Sequence, residues 1–135
     1  VEIQLLVNID VPHLEKAVEF YRRGLGLRLV RRLFGTVAEM SGASCTIYLL
    51  EKPPGSLPAV STPQRRDYQR HWTPVHLDFV VDNIHWAVER AQAAGATLEG
   101  PTQTYTWGRL ANMADPFGHG FCFIEFLGRG YDETA

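Results

Sequence analysis

One stretch of this chain is used twice. Leu6 to Glu19 reads LVNIDVPHLEKAVE, and His76 to Glu89, seventy positions on, reads HLDFVVDNIHWAVE. Each copy runs from a β-rich segment through a turn into an amphipathic stretch ending in Ala-Val-Glu (Ala17-Val18-Glu19 and Ala87-Val88-Glu89). A repeat of this length is a supersecondary unit, so a pseudo-symmetric fold of two modules is expected. The copies differ at a chemically important point. At the same strand position one carries Leu6, which cannot bind a metal, and the other His76, which can.

The pattern around the repeat extends each module. Residues 3–11 are rich in leucine and β-branched side chains and predict a strand. Leu14, Ala17, Val18, Tyr21 and Leu25 then form one apolar stripe at helical spacing. Pro12 fits the first turn of that helix, and Gly24 or Gly26 can end it. Strands are predicted at about 27–33, 36–41 and 45–51, the last two turning at Ser41-Gly42. In the second copy a strand at about 75–81 leads to an N-cap at Asp82 or Asn83. Ile84, Ala87, Val88 and Ala91 line the next helix, which Gly95 terminates. Strands follow near 96–105, 108–114 and 120–127, with a tight turn at Asp115-Pro116-Phe117-Gly118. The expected fold is α+β, with two β-α-β-β-β modules at about 3–51 and 75–127. Residues 52–74, with five prolines, read as a linker, and residues 128–135 as a frayed polar tail.

Bulk properties exclude several classes. Thirteen basic and fifteen acidic side chains in 135 residues leave a formal charge of -2, with no basic stripe, so nucleic acid is not an expected partner. Apolar runs are strand-length, well short of the roughly eighteen residues of a membrane span. The opening Val1-Glu2-Ile3-Gln4 lacks signal-peptide features, and two cysteines, Cys45 and Cys122, make no disulfide framework. A cytoplasmic location is expected. No G-x-S-x-G, Walker or dinucleotide glycine motif occurs, which argues against serine hydrolase and nucleotide chemistry.

The order of motifs resembles the vicinal oxygen chelate superfamily, which holds glyoxalases, bleomycin resistance proteins and extradiol dioxygenases. The resemblance rests on Glu19-Phe20-Tyr21 with Gly24-Leu25-Gly26-Leu27 in the first copy. In the second it rests on His76 to Asn83, Ala93-Ala94-Gly95 and Asp115-Pro116-Phe117-Gly118. It implies two sheets curled around a shared cavity, a homodimer, and a small organic ligand. It also implies a four-position His/Glu set for a divalent ion acting as a Lewis acid. Those positions fall on Leu6, on Tyr48 (or Thr46), on His76 and on Cys122. Three of them depart from the pattern, so no metal cofactor is expected; if one binds, His76 is the ligand. Glu125 joins it only if a bulge at Gly118-His119-Gly120 turns that side chain inward.

Several residues are candidates for ligand contact: Leu6, Asn8, Tyr48, His76, Asp78, Trp107, Arg109 and Cys122. His76 can also serve as a catalytic base beside a carbonyl. Trp107 and Tyr105 can stack on a flat ligand, and Arg109 can meet an anion. Cys122, between Phe121 and Phe123, reads first as an inert buried thiol and only second as a thiolate ligand or nucleophile. Arg65, Arg66 and Arg70 in the linker either grip an anion or form a solvated loop. The expected function is small-molecule binding with a degraded metal site. The alternatives are a lactoylglutathione-lyase-like or dioxygenase-like metalloenzyme, a metal-free enzyme using His76, and a module that docks a partner protein.

Overall fold

A computed structural model describes residues 2–135. The chain forms two compact units, one running to Tyr68 and the other starting at Gln69. Each contains one sheet and one helix.

In the first unit, β1 (Leu6–Val11) leads into α1 (Leu14–Leu25), followed by β2 (Arg28–Leu33), β3 (Val37–Ser41) and β4 (Thr46–Glu51). The sheet order is β1-β4-β3-β2, with β1 and β4 parallel and Asn8 opposite Tyr48. The predicted stripe packs inward: Leu14, Ala17, Val18 and Tyr21 are buried with Ile9, Val11, Ile47 and Leu49. Gly26 closes the helix in the left-handed conformation, at φ 76°. Gly24 stays inside the helix, and Pro12 lies ahead of the cap residue His13 rather than in the first turn.

The second unit repeats this order. It runs β5 (Leu77–Val80), α2 (Ile84–Ala93), β6 (Thr97–Leu98), β7 (Gln103–Thr104), β8 (Gly108–Ala114) and β9 (Gly120–Phe126). The sheet order is β5-β9-β8-β6, with β7 also paired to β8. The strand expected at 96–105 is broken in two around Gly100, which adopts φ 97°. Asn83 is the N-cap, its side chain accepting the Trp86 N–H at 3.0 Å. Asp115 Oδ1 accepts the N–H groups of Phe117 and His119, both at 2.9 Å, and so builds the predicted turn from within.

Two segments outside the strand-helix modules make specific contacts. The linker does not hang free. Its first part folds on the first unit, where Arg66 donates to Asp10 at 2.6 Å and Tyr68 to the Lys52 carbonyl at 2.8 Å. Its end joins the second unit, where the His71 N–H donates to the Gly118 carbonyl at 2.9 Å and the Gly120 N–H returns to His71 at 3.2 Å. The tail is also ordered. Gly128 and Gly130, at φ 56° and 63°, turn it back into a 3-10 turn at Gly130–Glu133. Among the described residues no helix is long and apolar enough to cross a membrane.

Candidate functional site

Strand alternation sorts the second sheet into two faces. Leu77, Phe79, Phe121, Phe123, Ala111 and Met113 share a parity, and the buried ones pack with α2. The opposite parity brings Asp78, Cys122 and Asn112 into one row, since Asp78 pairs with Cys122 and Asn112 pairs with Cys122. Above this row lies a pocket of about 530 Å³, lined by Trp72, His76, Asp78, Trp107, Leu110, Asn112, Cys122, Ile124 and Tyr131. Its size falls in the range of small-molecule sites.

The floor is polar and held together. His76 Nε2 lies 3.3 Å from Asp78 Oδ1, with both side chains about 40% exposed (40% and 38%). Cys122 donates its S–H to Asn112 Oδ1 at 3.4 Å. Burial, and then the nearby Asp78 carboxylate, push the Cys122 thiol up to about 11. At neutral pH the sulfur therefore keeps its proton. The stabilisation this lends the fold is present below the ordinary value of 9.0 and is lost as pH climbs through about 11. A thiol-disulfide reagent is expected to consume the half-exposed Cys45 first. Cys122 should react about 100-fold more slowly, since both its thiolate fraction and its access are low. Equal rates in the native protein, read by mass spectrometry, would sink this account of Cys122.

The walls are aromatic, and two of them come from segments without any strand pattern. Trp72 lies against Gly120, where an added Cβ would stand 2.5 Å from the ring. Its indole N–H donates to Glu99 at 3.2 Å, and the Arg70 guanidinium sits 4.8 Å from the ring centroid. Arg70 also bonds Glu99 and holds that carboxyl below its ordinary pKa. Tyr131, on the C-terminal turn, meets Trp107 at 5.0 Å, and Trp107 stacks on Tyr105 at 5.4 Å.

Other candidates stand elsewhere. Arg109 is on the helix face, donating to Glu125 at 2.6 Å. Glu125 is on that face too. The β8–β9 ladder runs unshifted from Gly108–Phe126 to Ala114–Gly120, so no bulge turns Glu125 toward His76. Instead it accepts the Ile84 N–H at 2.9 Å, capping α2. Glu51 does the same for Leu14 of α1 at 2.8 Å. In the first unit Leu6, Asn8 and Tyr48 share the face of their sheet turned away from α1, with Leu6 58% exposed. Tyr48 donates to Glu39 at 3.2 Å, and Arg31 bonds the same carboxylate at 3.1 Å. Burial and Glu39 both raise the Tyr48 pKa. The linker arginines serve structure: Arg65 donates to the Gly55 carbonyl, Arg66 binds Asp10 and Arg70 binds Glu99.

Among the described residues, one group of side chains could hold a metal ion. The donor atoms of His76, Asp78 and Cys122 lie within 4.8 Å of one another. This trio is not the His/Glu set that the resemblance implies, because its members are a histidine, an aspartate and a cysteine, and Glu125 is engaged at the start of α2. Sequence reading missed Asn112, Trp72, Tyr131 and Glu39. Asn112 and Glu39 could have been found by counting back across the hairpins from Cys122 and Tyr48.

A family model described as "Glyoxalase-like domain" matches residues 6–124. No curated protein matches the chain in sequence. Among solved structures, a glyoxalase-related enzyme from Fulvimarina pelagi is 19% identical with a TM-score of 0.70, covering 93% of this chain and 88% of its own. An antibiotic binding protein from Streptomyces sp. CB03234 is 24% identical with a TM-score of 0.66, covering 94% and 98%. A genomically encoded fosfomycin resistance protein from Listeria monocytogenes is 17% identical with a TM-score of 0.70, covering 94% and 95%. At these identities the likeness is one of fold.

Proposed function

The chain belongs to the glyoxalase-like domain family, and on that premise we propose that it binds a small organic molecule, without a catalytic divalent ion, in the pocket of the second unit. The observation that carries the reading is the pocket itself, with aromatic walls over a satisfied polar floor. The residues at the four chelate positions support it. Leu6, Tyr48, His76 and Cys122 place one histidine and no carboxylate at those positions. A structural neighbour described as an antibiotic binding protein fits a sequestering role of this kind. The same proposal takes the working form to be a cytoplasmic homodimer, which sedimentation and cell fractionation test.

Two of the three tryptophans, Trp72 and Trp107, line the pocket, while Trp86 is exposed on α2 beside Arg90. Planar organic ligands are therefore expected to quench roughly two-thirds of the indole emission, and Trp107→Ala to weaken binding by about tenfold. Stoichiometric zinc, nickel or manganese in the purified protein, lost in His76→Ala, would overturn the metal-free reading.

One observation favours a second reading. His76 beside Asp78 is a histidine–carboxylate pair at the pocket floor, an arrangement suited to proton abstraction next to a carbonyl. Turnover of an α-hydroxycarbonyl substrate that vanishes in His76→Gln, while binding persists, would favour this enzyme over a binding protein.

A further inference from the structure

We propose, resting on the small-molecule reading above, that the pocket of the second unit selects planar aromatic ligands that carry a positive charge. The argument begins with a charge inventory. Among the nine lining residues Asp78 is the one with a carboxylate, and none is a lysine or arginine. Asp78 is half-exposed beside His76 and the Cys122 thiol, and it lines the pocket, where a ligand can meet its charge.

The nearby guanidinium groups are committed elsewhere. Arg70 is bound by Glu99, Arg129 by Glu133 at 2.7 Å, and Arg109 by Glu125 on the helix face. A ligand carboxylate, phosphate or sulfonate would therefore meet Asp78 with no lysine or arginine in the lining to offset it, His76 being the one basic side chain there. Partial desolvation strengthens that repulsion. A cationic ligand meets the opposite situation, because the faces of Trp and Tyr rings attract positive charge and a carboxylate waits below them. Trp72 and Tyr131 remain 44% and 53% exposed, so ring surface is available for stacking. Asn112 adds a carbonyl oxygen to the same floor, a further acceptor for an ammonium or ring N–H.

The test uses three tricyclic probes of one shape: 9-aminoacridine (a cation), acridone (neutral) and acridine-9-carboxylate (an anion). Affinities are measured calorimetrically at neutral pH and low salt. The cation is expected to bind about tenfold tighter than the neutral probe, and the anion weakest. Asp78→Asn should erase the advantage of the cation while leaving acridone unchanged. Asn112→Asp, which adds a carboxylate to the same row, should enlarge it. The second variant keeps the test decisive if the first folds poorly. Equal affinities for all three probes, or a preference for the anion, would overturn the charge selection and leave the pocket reading standing. If no probe binds, the pocket reading falls, and this inference with it.

Discussion

Replacing Glu125 with alanine is expected to lower the stability of the second unit by about 2–3 kcal/mol, read as a shift of the urea midpoint at constant slope. The side chain is only 12% exposed and performs two tasks. It accepts the N–H of Ile84, the first residue of α2, and it pairs with Arg109. Loss of a helix-capping acceptor costs about 1 kcal/mol. Stranding a half-buried guanidinium adds a similar amount, as the partner of a broken buried pair loses its compensation. Glu125→Gln separates the two, because its amide oxygen still accepts from Ile84 and only the ion pair is lost; about half the effect should remain. Glu51→Ala, which removes the equivalent cap from Leu14, should cost about 1 kcal/mol. Should Glu125→Ala leave stability unchanged and instead abolish binding of an added divalent ion, the register of β9 given above would be wrong.

The paired glutamates show how far this fold could be read in advance. The repeat at seventy positions located both helices, and their apolar stripes are the ones that pack. Glu51 and Glu125 occupy equivalent places on the last strands, yet each caps a helix 37 or 41 residues earlier in the chain. Local sequence carries no trace of such a contact; only the parallel β1–β4 and β5–β9 pairings create it. Alternation puts Glu125 off the Cys122 face, and the alternative of a bulge arose because a glycine within a strand often marks one.

The site was legible where it rests on strands and illegible where it rests on irregular chain. His76, Asp78 and Cys122 stand together because parity and pairing put them there. Trp107 and Arg109 share a parity, yet only Trp107 lines the pocket. Trp107 precedes β8 and sits in a turn closed between Tyr105 and Gly108, so strand alternation does not govern it. Tyr131 reaches the pocket only because two glycines with positive φ fold the tail back. Trp72 belongs to a proline-rich stretch without periodicity, and its place depends on a residue 48 positions away.

That residue supports the second large effect. Gly120→Ala is expected to destabilise the protein by about 1–3 kcal/mol, as overpacking does elsewhere, and to weaken ligand binding by about tenfold. The added Cβ would stand 2.5 to 2.8 Å from three atoms of the Trp72 ring, too close for any real contact. Relief requires the ring to leave its seat, which breaks its bond to Glu99 and removes one pocket wall. The sign is what makes the experiment sharp, because an alanine in a strand otherwise gains about 0.5–1 kcal/mol over glycine. With the ring removed by Trp72→Ala, the same Gly120→Ala change should become neutral or slightly stabilising. The coupling between the two sites in a double-mutant cycle should then exceed about 1 kcal/mol. A Gly120→Ala protein more stable than the parent would mean that Trp72 does not rest on β9. The aromatic wall it supplies, and with it part of the case for a flat ligand, would have to be withdrawn.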